Sequence, residues 1–195
     1  MNVDDLRQEF ISISRLLYDR GMVPGTSGNV SVRVPGTDTA LIKCTARSFG
    51  DLECADVLLV DFDGKVLEGH GKPSKEAGFH LPLYRMRPDV GAVVHVHPPF
   101  ATAWASAGRV FPMATITAEI KLGPVPLVGR ARPGSGELAK MVLEAYKDPA
   151  VHVALLRDHG SIAVGGNLRE AYYLADLVED TARVAMLAGL IRLIP

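Results

Sequence analysis

Hydrophobic positions along the chain follow two periods, and the period changes where glycine and proline cluster. Val3, Leu6, Phe10, Ile13 and Leu17 recur at three- and four-residue steps. That spacing predicts an amphipathic helix, begun near Asn2 with Asp4 and Asp5 in its first turn and stopped near Gly21. Pro24 to Asn29 is a loop by composition. Val30-Ser31-Val32-Arg33-Val34 alternates and predicts a strand, Pro35 to Asp38 a turn, and Ala40 to Lys43 the return strand of a hairpin. Val57 to Asp61 is another strand, followed by a turn at Gly64 and then Lys65 to Leu67. Ser74 is placed to cap a helix running to about Met86, with Pro82 as an interior irregularity. Val90 to His97 reads as a buried strand, stopped by Pro98-Pro99, and Phe100 to Ser106 as a short apolar helix. Leu122 to Val128 holds two prolines, so it is at best an edge strand. Gly134 to Tyr146 reads as a helix, Val151 to Leu156 as an apolar strand and Ile162 to Val164 as one more. Asn167-x-x-Glu170 has the form of a capping box. It opens a long helix with Leu168, Ala171, Leu174, Ala175, Val178 and Ala182 on one face. Strands occur both in hairpins and in alternation with helices, which predicts an α/β fold with one mixed or mainly antiparallel sheet covered by helices.

At 195 residues and 48% hydrophobic content, the chain suits one domain, residues 1–195, and does not demand two. No internal repeat or linker interrupts it. A net charge of −1 without a basic stripe argues against nucleic acid or an anionic membrane as partner. The acidic N-terminus lacks the apolar run of a signal peptide, and no apolar stretch is long enough to span a bilayer. Cys44 and Cys54 form neither a CxxC pair nor a disulfide framework, so a reducing, cytoplasmic location is expected.

The candidate chemistry centres on Val93-Val94-His95-Val96-His97. A strand alternates its side chains, so His95 and His97 point to one face while Val94 and Val96 point to the other. Two core histidines, each satisfied by a neighbour, are the plainer alternative. Two imidazoles in an all-valine strand, however, are expensive to desolvate unless something satisfies both, and a divalent transition metal does so directly. His159, where an apolar strand meets Gly160, is a candidate third ligand; His70, His80 and His152 compete for that role. His80 also lies one helical turn past Glu76, where it could support the site from behind. Glu76 reads equally as an ordinary first-turn helix acid or as a carboxylate that ligates metal or moves a proton. Gly25-Thr26-Ser27-Gly28-Asn29 has the composition of an anion-binding nest, though by composition alone a plain turn is the commoner outcome. Ser74 and Lys75 near a helix start offer further anion contacts.

In combination and order, Gly25 to Ser31, Lys72-Pro73-Ser74-Lys75-Glu76, Arg87-Pro88-Asp89 through His97, and His159-Gly160 resemble the class II aldolase/adducin family over nearly the whole chain. The resemblance implies a three-layer α/β/α domain with a mainly antiparallel sheet, assembled as a homotetramer with active sites at subunit interfaces. It implies zinc on His95, His97 and His159, with Mn²⁺, Co²⁺ or Fe²⁺ also suited to that donor set. Glu76 would be the catalytic acid/base and a fourth metal contact. Thr26, Gly28, Asn29, Thr45, Ala46, Ser74 and Lys75 would surround a substrate phosphate. The implied reaction is cleavage of a phosphorylated ketose through a metal-stabilised enediolate, with the proton moved by Glu76.

The chain departs from the aldolase pattern in four places. Lys75 stands where a second serine is usual, and Ala46 where glycine is common. Phe111 to Ile120 lacks the tyrosine expected after the H-x-H strand. The sequence ends at Pro195, before the tail that carries another functional tyrosine. Lys75 leans toward a decarboxylase of a 3-oxo sugar-acid phosphate, which needs the same metal and glutamate. The family's epimerases carry aspartate at Glu76, which counts against epimerisation. A non-catalytic, adducin-like scaffold would be expected to have lost these ligands.

Overall fold

The computed structural model describes residues 2–194. Helix α1 (Val3–Asp19) is capped by Asn2, whose side chain accepts from the Asp5 N–H, and it buries Leu6, Phe10, Ile13 and Leu17. Eight strands follow in chain order: β1 (Asn29–Arg33), β2 (Thr39–Lys43), β3 (Val57–Asp61), β4 (Val66–Glu68), β5 (Ala92–Val96), β6 (Leu127–Val128), β7 (Val153–Leu156) and β8 (Gly160–Gly165). They form one sheet in the order β4-β3-β2-β1-β5-β8-β7-β6. Every pairing is antiparallel except β6 with β7. The remaining helices are α2 (Ala77–Met86), α3 (Pro99–Ala107), α4 (Ile116–Lys121), α5 (Gly136–Ala145) and α6 (Leu168–Ile191).

The sheet separates two cores, which makes three layers. One face packs Val30, Val32, Val94 and Val96 against α1, α3 and α6. The other packs Ile42, Val60, Val93 and Ile162 against α2 and α5. Each fully buried large aliphatic or aromatic side chain contributes about 1.5–3 kcal/mol relative to exposure, so the strand alternation decides which residues face which layer. Val94 and Val96 face α6, which leaves His95 and His97 on the α2 and α5 side. Asn29 pairs with His95 across β1 and β5, and Ile162 pairs with His95 from β8.

Several expectations needed correction. The α2 helix starts at Ala77 with Glu76 at its N-cap. Ser74 stands two residues earlier and accepts a 3.3 Å hydrogen bond from the Glu76 N–H. The β5 strand begins at Ala92 rather than Val90 and ends at Val96. Helix α4 was not expected at all; Thr115 caps it by accepting from the Ala118 N–H, a short-range signal that the lack of a long apolar stripe obscured. The edge strand foreseen in 122–128 is reduced to Leu127–Val128, as Pro124 and Pro126 remove ladder donors.

Candidate metal centre and active site

His95 lies on β5, and His97 one residue beyond its end, where the His97 N–H donates to the Met22 carbonyl at 2.9 Å. His159 comes from the turn joining β7 to β8, in which Asp158 takes the left-handed conformation with φ 58°. The three imidazole ring centres form a triangle with every side 4.8 Å. One ligand nitrogen from each lies within 4.8 Å of the others. Gly160 allows this closure. A Cβ there would stand 2.2 Å from the Val96 carbonyl oxygen and 2.9 Å from His97 Cδ2. Gly160→Ala is therefore expected to destabilise the protein by about 1–3 kcal/mol and to weaken metal binding together, read by chemical denaturation and metal titration. A variant of native stability and metal affinity would show that the turn has room to spare.

His95 Nδ1 lies 2.9 Å from the Ser161 carbonyl, so it must donate, and the Nε2 lone pair is left facing the cluster. His97 Nε2 is 3.0 Å from that atom. Glu76 Oε2 lies 3.2 Å from His95 Nε2, and Oε1 3.7 Å from His159 Nε2. Glu76 occupies an N-cap position yet makes no capping bond; its carboxylate is turned into the cluster instead. Glu76 Oε1 and His159 Nδ1 are buried without a hydrogen-bond partner. Converging lone pairs beside an orphaned carboxylate oxygen fit a divalent metal held by three imidazoles and one carboxylate.

Burial, and then the neighbouring His95, lowers His97 to about 3 and His159 to about 4. Burial pushes the Glu76 carboxyl up, but His95, the Asn29 hydrogen bond and His159 together hold it below the usual carboxylate range. At neutral pH the cluster thus sets an ionised carboxylate beside neutral His97 and His159. In the metal-free protein these two histidines bind protons less readily folded than unfolded, where imidazole titrates near about 6.5. Stability is expected to be full above about pH 6.5 and to fall progressively as pH drops toward 4. Denaturant midpoints across that range check this; a flat profile would contradict it.

Behind Glu76 lies a buried hydrogen-bond chain. Asn29 Nδ2 donates to Glu76 Oε2 at 2.9 Å, which turns Asn29 Oδ1 toward His80 Nε2. His80 Nε2 must then donate, so its Nδ1 accepts from Ser31 Oγ at 2.8 Å. Tyr84 in turn donates to Ser31 Oγ at 2.6 Å. Each donor follows from the bond before it, and all point toward the carboxylate. His80 is fully buried, and burial, followed by the neighbouring His95, lowers it to about 3. With both ring nitrogens committed to Ser31 and Asn29, it stands behind Glu76 and outside the imidazole cluster. His70 and His152 lie outside the cluster.

Thr26, Gly28, Asn29, Thr45, Ala46, Ser74 and Lys75 line one cavity of about 380 Å³, whose walls also include Glu76, His97 and His159. Gly28 has φ +71°, and a Cβ there would lie 2.8 Å from the His95 carbonyl oxygen, so the loop can press against β5 only as glycine. Ala46 holds φ 61°, a conformation that strains a non-glycine residue by about 1–2 kcal/mol and that glycine adopts freely. The Asn29 amide already serves Glu76 and His80, leaving one N–H uncommitted. Sequence reasoning missed Lys43, which lines the same cavity. Lys43 is 2% exposed, donates to the Arg47 carbonyl at 2.6 Å, and burial lowers its pKa. Its only signal was a lysine ending an otherwise apolar strand. A larger cavity of about 740 Å³ lies around the far end of β8, near Gly165 and Tyr173; it holds none of these groups.

A layered α/β fold with three histidines and a glutamate beside a glycine-hydroxyl pocket defines a metal-dependent class of enzyme. The chain belongs to the class II aldolase and adducin family: the family model described as Class II Aldolase and Adducin N-terminal domain matches residues 8–186. It is 36% identical over 177 residues to an L-fuculose phosphate aldolase of Methanococcus vannielii, covering 91% of this chain and 93% of that one. It is 34% identical over 189 residues to a 3-oxo-tetronate 4-phosphate decarboxylase of Escherichia coli K12, covering 94% and 87%. Among solved structures, it superposes on an L-fuculose-1-phosphate aldolase from Thermus thermophilus with TM-score 0.81 at 28% identity, covering 97% of each chain.

Proposed function

We propose that this protein is a metal-dependent lyase that cleaves a phosphorylated ketose, an aldolase whose metal is zinc. The observation that carries this reading is the meeting of the Glu76 carboxylate with three converging imidazoles, two of them, His97 and His159, on the wall of the cavity formed by Gly28, Ser74 and Lys75. His95, His97 and His159 would hold the metal, with Glu76 as a further contact. The bound ion would polarise the substrate carbonyl and stabilise negative charge as the carbon–carbon bond breaks.

Thr26, Thr45, Ser74 and the Gly28 and Ala46 backbone would seat the phosphate, with Lys43 and Lys75 supplying positive charge. That grip orients the reacting carbons beside Glu76. Glu76, ionised and held by Asn29, would take up the proton that the substrate hydroxyl loses on becoming the aldehyde and pass it to the three-carbon fragment, and would run the same transfer backwards in the reverse direction. The chain acts in this reading as a single domain in the cytoplasm. Among the described residues no helix is long and apolar enough to cross a membrane. Exposed Met186, Leu187, Leu190 and Ile191 along the end of α6 support assembly into a homotetramer.

Lys75 favours a second reading, decarboxylation of a 3-oxo sugar-acid phosphate on the same parts. Loss of CO₂ leaves its bonding electrons on the carbon next to the carbonyl, as aldol cleavage does, and Glu76 would take a proton from water and pass it to that carbon. Incubating the zinc-supplied protein with phosphorylated ketoses and with 3-oxo sugar-acid phosphates tests both readings. Aldehyde with dihydroxyacetone phosphate supports the aldolase, and CO₂ release supports the decarboxylase. Neither product from any phosphorylated substrate would sink both.

A further inference from the structure

His97 is followed by a proline pair, and the helix beyond that pair is held by α6. Helix α3 begins at Pro99 with Pro98 at its cap, where no side chain serves the first amides. Pro98 and Pro99 have no N–H, and the helical ladder opens with the Thr102 N–H donating to the Pro98 carbonyl at 2.9 Å. Two amides between them remain to be satisfied. Both donate to one carboxylate on α6: the Phe100 N–H to Glu179 Oε1 at 3.1 Å, and the Ala101 N–H to Oε2 at 2.8 Å. Glu179 is 4% exposed, and among the described residues these amides are its only hydrogen-bond partners. One helical turn further along α6, the Arg183 guanidinium lies 5.4 Å from the centre of the Phe100 ring. Helix α6 therefore grips the start of α3 both by its backbone and by its first aromatic side chain.

A buried carboxylate on two helix-start amides stabilises a helix whatever precedes it. Here the preceding residue gives the contact a second consequence. Proline fixes its own φ and confines the residue ahead of it to extended conformations. Pro98 accordingly has φ −71° and ψ 139°. His97 and Pro98 each stand before a proline, so few free torsions separate the His97 backbone from the first turn of α3. On its other side His97 is held by its N–H bond to the Met22 carbonyl. A shift of the start of α3 is thus passed on to His97 rather than absorbed between them. We propose that Glu179 is a positioning residue for the metal centre: by holding the Phe100 and Ala101 amides, it sets His97 against His95 and His159. The inference rests on the reading of those three histidines as metal ligands.

The test is titration of the metal-free protein with Co²⁺, followed by visible absorption, and then displacement by Zn²⁺. Glu179→Gln keeps the size of the side chain but offers one acceptor oxygen and sets its NH₂ against the second amide. Glu179→Asp keeps the charge on a shorter stem that should reach at most one amide. Ala175→Gly, one turn earlier on α6, weakens that helix and leaves the Glu179 bonds in place. Both Glu179 variants are expected to bind Co²⁺ about tenfold more weakly, the low end of the effect of losing a partner behind a metal ligand. Their absorption bands, which report ligand geometry, should differ from native. Ala175→Gly should keep native affinity and bands even where its denaturant midpoint falls as far. Native affinity and bands in the Glu179 variants would overturn the inference and leave Glu179 as a helix cap only. An equal loss of affinity in Ala175→Gly would overturn it as well. If Glu179→Gln does not fold, Glu179→Asp carries the same comparison. If the native protein binds neither Co²⁺ nor Zn²⁺, the metal reading itself fails and the inference falls with it.

Discussion

Replacing His97 with alanine is expected to reduce metal affinity by at least about 100-fold and to abolish turnover with it. Loss of even an outer hydrogen-bond partner of a ligand typically costs about 10–100-fold, and His97 is one of three imidazoles in the cluster itself. Removing it leaves His95, His159 and Glu76, one imidazole short of the set proposed to hold the zinc. The fold should survive, because His97 lies beyond the end of β5 and its backbone bond to Met22 does not depend on the side chain. Metal analysis of purified variant against native protein, beside a circular dichroism spectrum, checks this. Native metal content in His97→Ala would show that the ion sits elsewhere.

Exchange of Glu76 for glutamine is expected to act differently. Glutamine keeps the size of the side chain and an oxygen, so metal content should remain close to native. It has no ionisable carboxyl, so turnover should fall by about 10²–10⁴-fold, the usual contribution of a positioned acid or base. The two variants together separate holding the ion from moving the proton. Full activity in Glu76→Gln would remove it as the proton carrier. The hydrogen-bond chain behind it gives the same expectation a structural reason. Asn29, His80, Ser31 and Tyr84 all orient their donors toward the carboxylate, and a glutamine placing its NH₂ toward Asn29 would oppose them.

Much of this site is legible in the order of residues along the chain. The H-x-H pair follows from strand alternation alone, since period two leaves no other way to orient Val94, His95, Val96 and His97 in a sheet buried on both faces. The caps at Asn2 and Asn167 are readable because capping is a contact over three residues. Glu76 is the ambiguous case. At a helix start its sequence neighbourhood fits a first-turn acid as well as a ligand. Only the position of His95 and Asn29 relative to α2 shows that the carboxylate gives up the helix amides for the cluster. Ser74 is mistaken for the cap for the same reason, because a Ser-x-Glu stretch does not say which residue turns first.

Other features could not be read at all. Lys43 ends an apolar strand, and its place in the cavity depends on β2 lying beside β1 and on the loop through Ala46. Tyr84 joins Ser31 only because α2 packs over β1.

By itself the sequence determined the periods of its elements, the shared face of His95 and His97, and the family to which those motifs belong. These are local quantities, set by backbone geometry over two to four residues and by the composition of short loops. The tertiary structure alone decided how closely Glu76 and His159 approach the pair, what stands behind Glu76, and that Lys43 reaches the cavity. Those groups come from distant parts of the chain, from Gly28 on the first loop to His159 on the last strand turn, and only the packing of helices onto a sheet of fixed strand order brings them together.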